Sequence, residues 1–520
     1  MNLRTIRRGG LKRLLLAGAV GLAALSVSAL SAQPVKGGAI TVATIGEPPT
    51  LDPMISTADL VSILTQHVFE TLYTFDAKWN LTPLLAEKLP EISPDGLVYT
   101  IALRQGIKFH DGSDMDASDV LASLERWTAA ASRGTMASRV IAGIDAPDAR
   151  TVRITLKQPY APLTALLAMT NSAAVILPKE KIEPVLKEFV GTGPYQLKAR
   201  VPDQYIQLTR FDGYRQRAGE PDGYGGARKQ YADEIRFVPV ANANTRAEAA
   251  AAGQFDYVDS LPVEAMGKLE GSRSEAVLLK PFGWPRLVLN TKAGIMSNLA
   301  ARRAVQLALN EEDMLYAAFG NKDFYKLNGD LYPEGYPWAT SLGGKVYNQG
   351  DAAGAKKLLD EAGIKDRKIR ILTSQQYEFH YKMALVAAEY LKAAGFTVDM
   401  QVVDWATLTQ RRQNPAVWDI FITHSVFLPE PALIDFPSRD APGWWDTPRR
   451  AQVMDAFNQA RTQEERVKRW ADVQQAVYDE VPFVKVGDFN ALAARSPALQ
   501  GFTPSAWPYF WNAWKAAARP

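Results

Sequence analysis

Leu103-Arg-Gln-Gly-Ile-Lys-Phe-His-Asp-Gly112, followed closely by Asp116-Ala-Ser-Asp-Val-Leu121, holds three structural signals in one short run. Residues 97–103, just before and into it, alternate as Leu-Val-Tyr-Thr-Ile-Ala-Leu, the period of a half-buried strand. Phe109-His-Asp-Gly112 reads as a turn, and Asp116 or Ser118 is a suitable N-cap for the helix that follows. Strand, turn and helix in immediate succession point to a mixed α/β fold.

The same alternation recurs on both sides. Ala39-Ile-Thr-Val-Ala43 is an expected strand, Glu47 to Pro53 a proline-stiffened turn, and residues 57–70 a helix with Leu60, Ile63, Leu64, His67 and Val68 on one face. Further strands are expected at 151–156, 194–210 and 233–240, a glycine-rich loop at 213–226, and an alanine-rich helix at 245–252. The second half repeats the mixture, with strands at 286–290, 369–373 and 396–403. Helices are expected at 299–309, 352–362 and 378–394, the last two ended by Gly363 and Gly395. Units of βαβ type thus lie on both sides of residue 285, which predicts two α/β lobes with an insertion in the first.

The amino terminus stands apart. Arg4, Arg7, Arg8, Lys12 and Arg13 precede the apolar run Leu14 to Leu30, and small residues follow at Ser28, Ala29, Ser31 and Ala32. That order predicts an export signal over residues 1–32, cleaved near Ala29 to Ala32. Arg7-Arg8-Gly-Gly-Leu11-Lys12 also resembles a twin-arginine motif, so that route and the general secretory route both remain open. The chain holds 59 basic and 56 acidic residues; without the signal's five basic ones, 54 remain against 56, a net charge of −2. Such a balance gives no footprint for nucleic acid or a membrane surface.

The absence of cysteine excludes thiol catalysis, thiolate metal sites and disulfides. Neither a G-x-S-x-G elbow, a Walker loop nor an H-E-x-x-H pair occurs, so no catalytic residue and no exported-hydrolase signature is identified. His67, His110, His380 and His424 lack helical pairing and read as structural, not as metal ligands. Gly191-Thr-Gly-Pro-Tyr195 is a tight turn, since Pro194 removes a donor that a phosphate cradle needs. Asp111, Asp114 and Asp116 sit where turns and helix starts favour aspartate. Tryptophans are different. Trp284, Trp405, Trp418, Trp444, Trp445, Trp507, Trp511 and Trp514 fall in the second half, many beside Pro, Gly or Asp. Aromatics carried on loops predict a site that binds a small ligand by stacking and apolar contact.

These motifs together resemble the family 5 extracellular solute-binding proteins of ABC importers, the dipeptide, oligopeptide and nickel-complex binders. The matching segments are Lys36 to Ala43, Leu51-Asp-Pro53, Val68 to Leu72, Pro83 to Glu87, Ser93 to Gly96, Leu103 to Gly112, Ala117 to Val120, Gly191 to Tyr195, Asn290-Thr291, Arg303 to Val305 and Ala355 to Leu359. The resemblance implies a bilobed periplasmic-binding-protein fold, type II in its large form, with an extra α/β domain inserted in the first lobe. On that pattern lobe one covers 34–80, 190–284 and 490–520, the inserted domain 81–189 and lobe two 285–489. It implies a periplasmic receptor without cofactor that delivers a small organic solute to permease subunits. A sensory or chaperone-like receptor on the same fold is the alternative.

The family pattern also supplies candidate site residues. Asn171 and Ser172 would reach in from the inserted domain, Phe282 and Trp284 lie at the lobe crossing, and Trp405 matches a stacking tryptophan of oligopeptide binders. His424, Phe427, Glu430, Trp444 and Trp445 would line lobe two. Where peptide binders keep an aspartate for the α-ammonium, this chain has His424-Ser-Val-Phe-Leu-Pro-Glu-Pro431, with Glu430 the nearest acid. Glu430 either anchors a cationic group or is turned to solvent or to an arginine. The arginine of nickel-complex binders is missing from Thr170 to Ala174, and Pro437-Ser-Arg-Asp440 offers no metal-binding histidine. A peptide-like, opine-like or glycoside cargo is expected rather than nickel.

Overall fold

A computed structural model describes residues 33–436 and 438–516; the expected export signal, residues 1–32, lies outside them. Among the described residues no helix is long and apolar enough to cross a membrane.

The strand, turn and helix expected around Leu103 are present. Val98–Ala102 pairs antiparallel with Thr151–Leu156, Tyr99 facing Ile154. The helix Ala117–Ala130 starts with a reciprocal cap: Asp116 accepts from the amides of Ser118 and Asp119, and Asp119 accepts from the amide of Asp116. The turn between them is pinned to a distant segment. His110 receives the Gly191 amide on Nδ1 at 3.2 Å and donates from Nε2 to the Gly193 carbonyl at 3.0 Å. Desolvation pushes its imidazole down to about 4, so it is a neutral structural pin, as expected. Gly191 and Gly193 are needed because a Cβ would lie 2.2 Å from the Val68 carbonyl oxygen or 2.4 Å from that of His67.

Strand pairing forms one long mixed sheet. Its order runs Thr397–Val402, Lys368–Thr373, Ile420–Val426, Glu275–Leu289, Asp488–Arg495, Tyr257–Leu261, Ala39–Thr44, Glu234–Pro239, Tyr205–Arg210 and Tyr195–Val201. Ala39–Thr44 and Lys368–Thr373 each lie parallel to both neighbours, and their apolar residues sink into the core, Ile40, Val42, Ile369 and Ile371 being fully buried. Glu275–Leu289 carries the sheet from one half to the other. Its first part, Glu275 to Leu279, pairs with Asp488–Arg495, and its last part, Gly283 to Leu289, pairs with Ile420–Val426. A separate antiparallel sheet, Glu91–Ile92, Val98–Ala102, Thr151–Leu156 and Ile141–Asp148, lies within residues 81–189 and packs against the helix Ala117–Ala130.

Some expected elements change shape. The helix of 57–70 is shorter, Asp59–Thr65, and 194–210 is a hairpin broken at 202–204. The strand expected at 286–290 begins at Glu275 instead. Pro281 and Pro285 hide its earlier part from a reading in which proline interrupts strands. Pro281 sits where the register shifts between Leu279 and Gly283, so no ladder bond is lost there.

Candidate ligand-binding cleft

Two cavities meet at the side chains of Asp59 and His424. The larger, about 810 Å³ including its mouth, takes Asp259 and Ser260 from the strand Tyr257–Leu261, His424 from the strand Ile420–Val426, and Tyr377 and Phe379 from the start of the helix Glu378–Ala393. The smaller, about 570 Å³, lies between Thr57, Arg133, Asn171, Trp405, Arg412 and Asp435. Walls that combine aromatic side chains with many polar and charged ones suit a small polar organic molecule.

Local structure explains how the polar groups reach it. Asp59 is in the first turn of its helix, where the exposed amides favour an acid. Its Oδ1 accepts from Trp507 Nε1 at 2.7 Å, and its Oδ2 lies 3.6 Å from His424 Nε2. His424 Nδ1 is 3.1 Å from Nε2 of His380, whose imidazole burial holds well below the usual range. Asp259 and Ser260 line the cavity where the pairing of Tyr257–Leu261 is interrupted, and Ser260 takes the left-handed φ of 49°. Desolvation pushes the Asp259 carboxyl up to about 6; Asp59 adds to this and Arg246 opposes it. Arg246 is buried and donates to the carbonyls of Val240, Ala241, Ser260 and Gln376 at 2.8–3.1 Å. In the smaller cavity Asp435 is held below the carboxylate range: burial raises it, but Arg286, Arg412 and Arg133 together outweigh that.

These groups can hold a polar organic molecule. Among the described residues no group of three or more His, Cys, Asp or Glu is placed to hold a metal ion.

A model of the bacterial extracellular solute-binding proteins, family 5, matches residues 80–432. The chain belongs to this family. A probable peptide ABC transporter periplasmic-binding protein of Sinorhizobium fredii is 26% identical over 489 residues, 89% of this chain and 91% of its own length. A glutathione-binding protein of Salmonella paratyphi A is 30% identical over 357 residues, 66% of each chain. Two solved structures share the fold, each with a TM-score of 0.81 over 93% of this chain and 99% of their own. They are the Helicobacter pylori periplasmic binding protein DppA with the peptide STSA, at 23% identity, and AgaA of A. tumefaciens R10 with agropinic acid, at 24%. The α/β fold is therefore the bilobed one of periplasmic binding proteins, and the function is that of the extracellular solute-binding component of an ABC importer.

Within this solute-binding protein the expected site residues divide. Phe282 lines the larger cavity, Asn171 and Trp405 the smaller, and His424 both. Trp405 also meets Tyr377 edge-on, their ring centroids 4.9 Å apart. Ser172 lines neither; it is wholly buried, its Oγ accepts from the Arg133 amide and its carbonyl from Trp127 Nε1.

Besides Ser172, five expected residues line neither cavity. Trp284 is fully buried against Phe483 and Phe436, with Arg286 over its ring. Phe427 packs on Tyr332 and Tyr336. Trp444 stacks on Trp418, and Trp445 donates to Glu480 at 2.5 Å. Glu430 gives both oxygens to Arg466, at 2.6 and 2.7 Å, and accepts from the Ala432 amide at 3.1 Å. Its charge is thus neutralised away from both cavities. Trp284, Trp444 and Glu430, each beside Pro or Gly, serve core corners here, and Phe427 and Trp445 pack inward without such a neighbour.

Asp59, Arg133, Arg246, Asp259, Tyr377 and Arg412 were not anticipated. A usable signal existed for Arg246 alone, a charge within the alanine-rich stretch Ala243–Ala251. The others stand in ordinary polar surroundings in sequence, and only the fold brings them together.

Proposed function

We propose that this chain captures a small organic solute in the joined cavities around Asp59 and His424, closes two lobes over it and presents it to importer permease subunits. The supporting observation is that each cavity draws its walls from both proposed lobes, the larger from Asp59, Asp259 and Ser260 against Tyr377, Phe379 and His424, and the smaller from Thr57, Asp59 and Trp507 against Trp405, Arg412, His424 and Asp435, so full contact requires both. Ligand then stabilises the closed form by the contacts that only this form provides. The lobes are residues 34–80, 190–284 and 490–520 against 285–489, with 81–189 inserted in the first. The limits at 284 and 489 fall inside the two adjacent strands Glu275–Leu289 and Asp488–Arg495, which makes these strands the hinge. Residues 1 to about 32 direct export and are removed. The cargo is peptide-like or opine-like, or a glycoside. A peptide's free α-ammonium is not met by Glu430; the acids that line the cavities are Asp59, Asp259, Glu264 and Glu378 in the larger, and Asp59 and the Arg286-paired Asp435 in the smaller.

Small-angle scattering of the purified protein, freed of solute and then saturated with the solute found by native mass spectrometry, tests this reading. A smaller radius of gyration on saturation is the expected result. Trp405→Ala should weaken binding of the same solute by about 1–3 kcal/mol, the range for one aromatic anchor. An unchanged radius at saturation would rule out closure.

A further inference from the structure

We infer that Arg133 and Arg412 form an anion subsite in the smaller cavity and that it takes a carboxylate of the solute. The inference rests on the solute-binding reading and names the chemistry of its cargo. Both guanidinium groups line the cavity and both are at least nine-tenths buried. Among the described residues neither has a carboxylate within 4.0 Å, although Arg126, Arg228, Arg286 and Arg466, equally buried, each have one.

Their hydrogen bonds leave donors free. Arg133 gives Nη1 to the carbonyl and Oδ1 of Asn171 and Nη2 to the carbonyl of Leu433. Arg412 gives Nη2 to Thr57 Oγ1 at 2.9 Å and, among the described residues, makes no other side-chain hydrogen bond. The Nε atoms of both are buried without a partner. Arg302 shows that lack of an ion pair alone means little, because carbonyls of Met296, Ser297 and Glu480 absorb its donors. Arg412, with five donors on its planar fork, has no such set.

The surrounding charges do not balance. Asp435 is already held by Arg286 at 2.5 Å, and Asp59 turns one oxygen to Trp507 and the other toward His424. Three guanidinium groups therefore share two carboxylates around this cavity. Burial pushes Arg133 down to about 10 and lowers Arg412 as well, the mark of cations out of water without full compensation. An entering carboxylate would supply the missing charge and accept from the free donors, and a planar carboxylate suits the guanidinium fork.

Malonate, a small dicarboxylate, is the probe. Its effect on the melting temperature of solute-free protein is measured against sodium chloride of equal ionic strength and against neutral malonamide. Malonate alone should raise the melting temperature in a saturable way. Arg412→Gln should move half-saturation up about ten- to hundredfold, the scale of one charge-assisted contact, and Arg412→Lys should retain part of the response. Arg133→Gln should act like Arg412→Gln. Should it fail to fold, the two Arg412 variants decide. An absent response, a response shared by malonamide, or an equal response in Arg412→Gln overturns the anion subsite. The solute-binding reading is judged separately, by scattering with its own co-purified solute.

Discussion

Glu430 with Arg466, and Arg133 with Arg412, are two buried charged groups at opposite ends of one design problem. The first pair faces each other with two short hydrogen bonds, beside the rings of Trp338 and Phe457. The second pair has like charge, lines a cavity and lacks an acid of its own. Removing a charge from water is expensive, and a partner with good geometry offsets most of that cost. Where the fold supplies the partner, the charge belongs to the structure. Where it does not, stability is given up locally, which is reasonable only if something else completes the site. The comparison separates residues that hold the protein together from residues that wait for cargo, although both kinds look alike in sequence.

The largest effect should come from breaking the satisfied pair. Glu430→Gln leaves the Arg466 guanidinium buried without its counter-charge and should lower stability by about 3–5 kcal/mol. Urea unfolding monitored by tryptophan emission measures it. Affinity of the folded fraction for the co-purified solute should stay as in the wild type. The opposite pattern, weak binding with normal stability, would make Glu430 a ligand anchor and erase the distinction drawn above.

A second contrast sharpens the rule away from the cleft. Glu311 is wholly buried at the start of the helix Glu311–Phe319, and neither carboxylate oxygen has a hydrogen-bond partner. Burial pushes its carboxyl up to about 8, against the nearby amides of Glu311 and Asn348. The sign follows from proton counting. Between its ordinary value of 4.5 and about 8 the folded chain keeps a proton that the unfolded chain has released, so stability falls as pH rises through that window. Glu311→Gln should remove this slope. It should raise stability at pH 8.5 by up to about 5 kcal/mol, because each tenfold change in a group's proton affinity on folding is worth roughly 1.4 kcal/mol. At pH 4 it should change little. Melting curves of both proteins across this range check it; equal curves at pH 8.5 would mean that the buried carboxylate finds partners in solution.

How far sequence led depends on the range of the cause. Cap, turn and helix ends are set by neighbours in the chain, so Asp116, Gly363 and Gly395 are found where they were expected. Tight turns are nearly as legible: Pro194 excluded a phosphate loop, and the glycines around it prove to fit against the backbone of His67 and Val68. Strand length was less so, since proline in Glu275–Leu289 is excused by a register shift that only pairing reveals. Of the ten residues expected at the site, four line the two cavities. Trp405, Phe282, Asn171 and His424 came from family position, whereas Trp284, Phe427, Trp444 and Trp445 show that position does not say which face of the chain looks inward. Arg133 and Arg412 were invisible because what marks them is the absence of an acid nearby, and absence in space has no signature in sequence.

The smallest expected effect is also the sharpest test of the comparison, because its sign is reversed. Arg412→Met keeps a long side chain while removing the uncompensated charge. In solute-free protein it loses one hydrogen bond, to Thr57, worth about 0.5–1.5 kcal/mol. Against that stands the relief of a buried guanidinium that sits near Arg286 and has no acid within ion-pair distance. Replacing a buried charge by an apolar group of similar volume is often neutral or stabilising. Solute-free Arg412→Met should therefore be as stable as the wild type or up to about 1 kcal/mol more stable, whereas Glu430→Gln loses several. The same urea titrations, run side by side on both variants, make the comparison. A loss in Arg412→Met as large as that in Glu430→Gln would place Arg412 among the structural charges and remove the reason to read the smaller cavity as unfinished without its ligand.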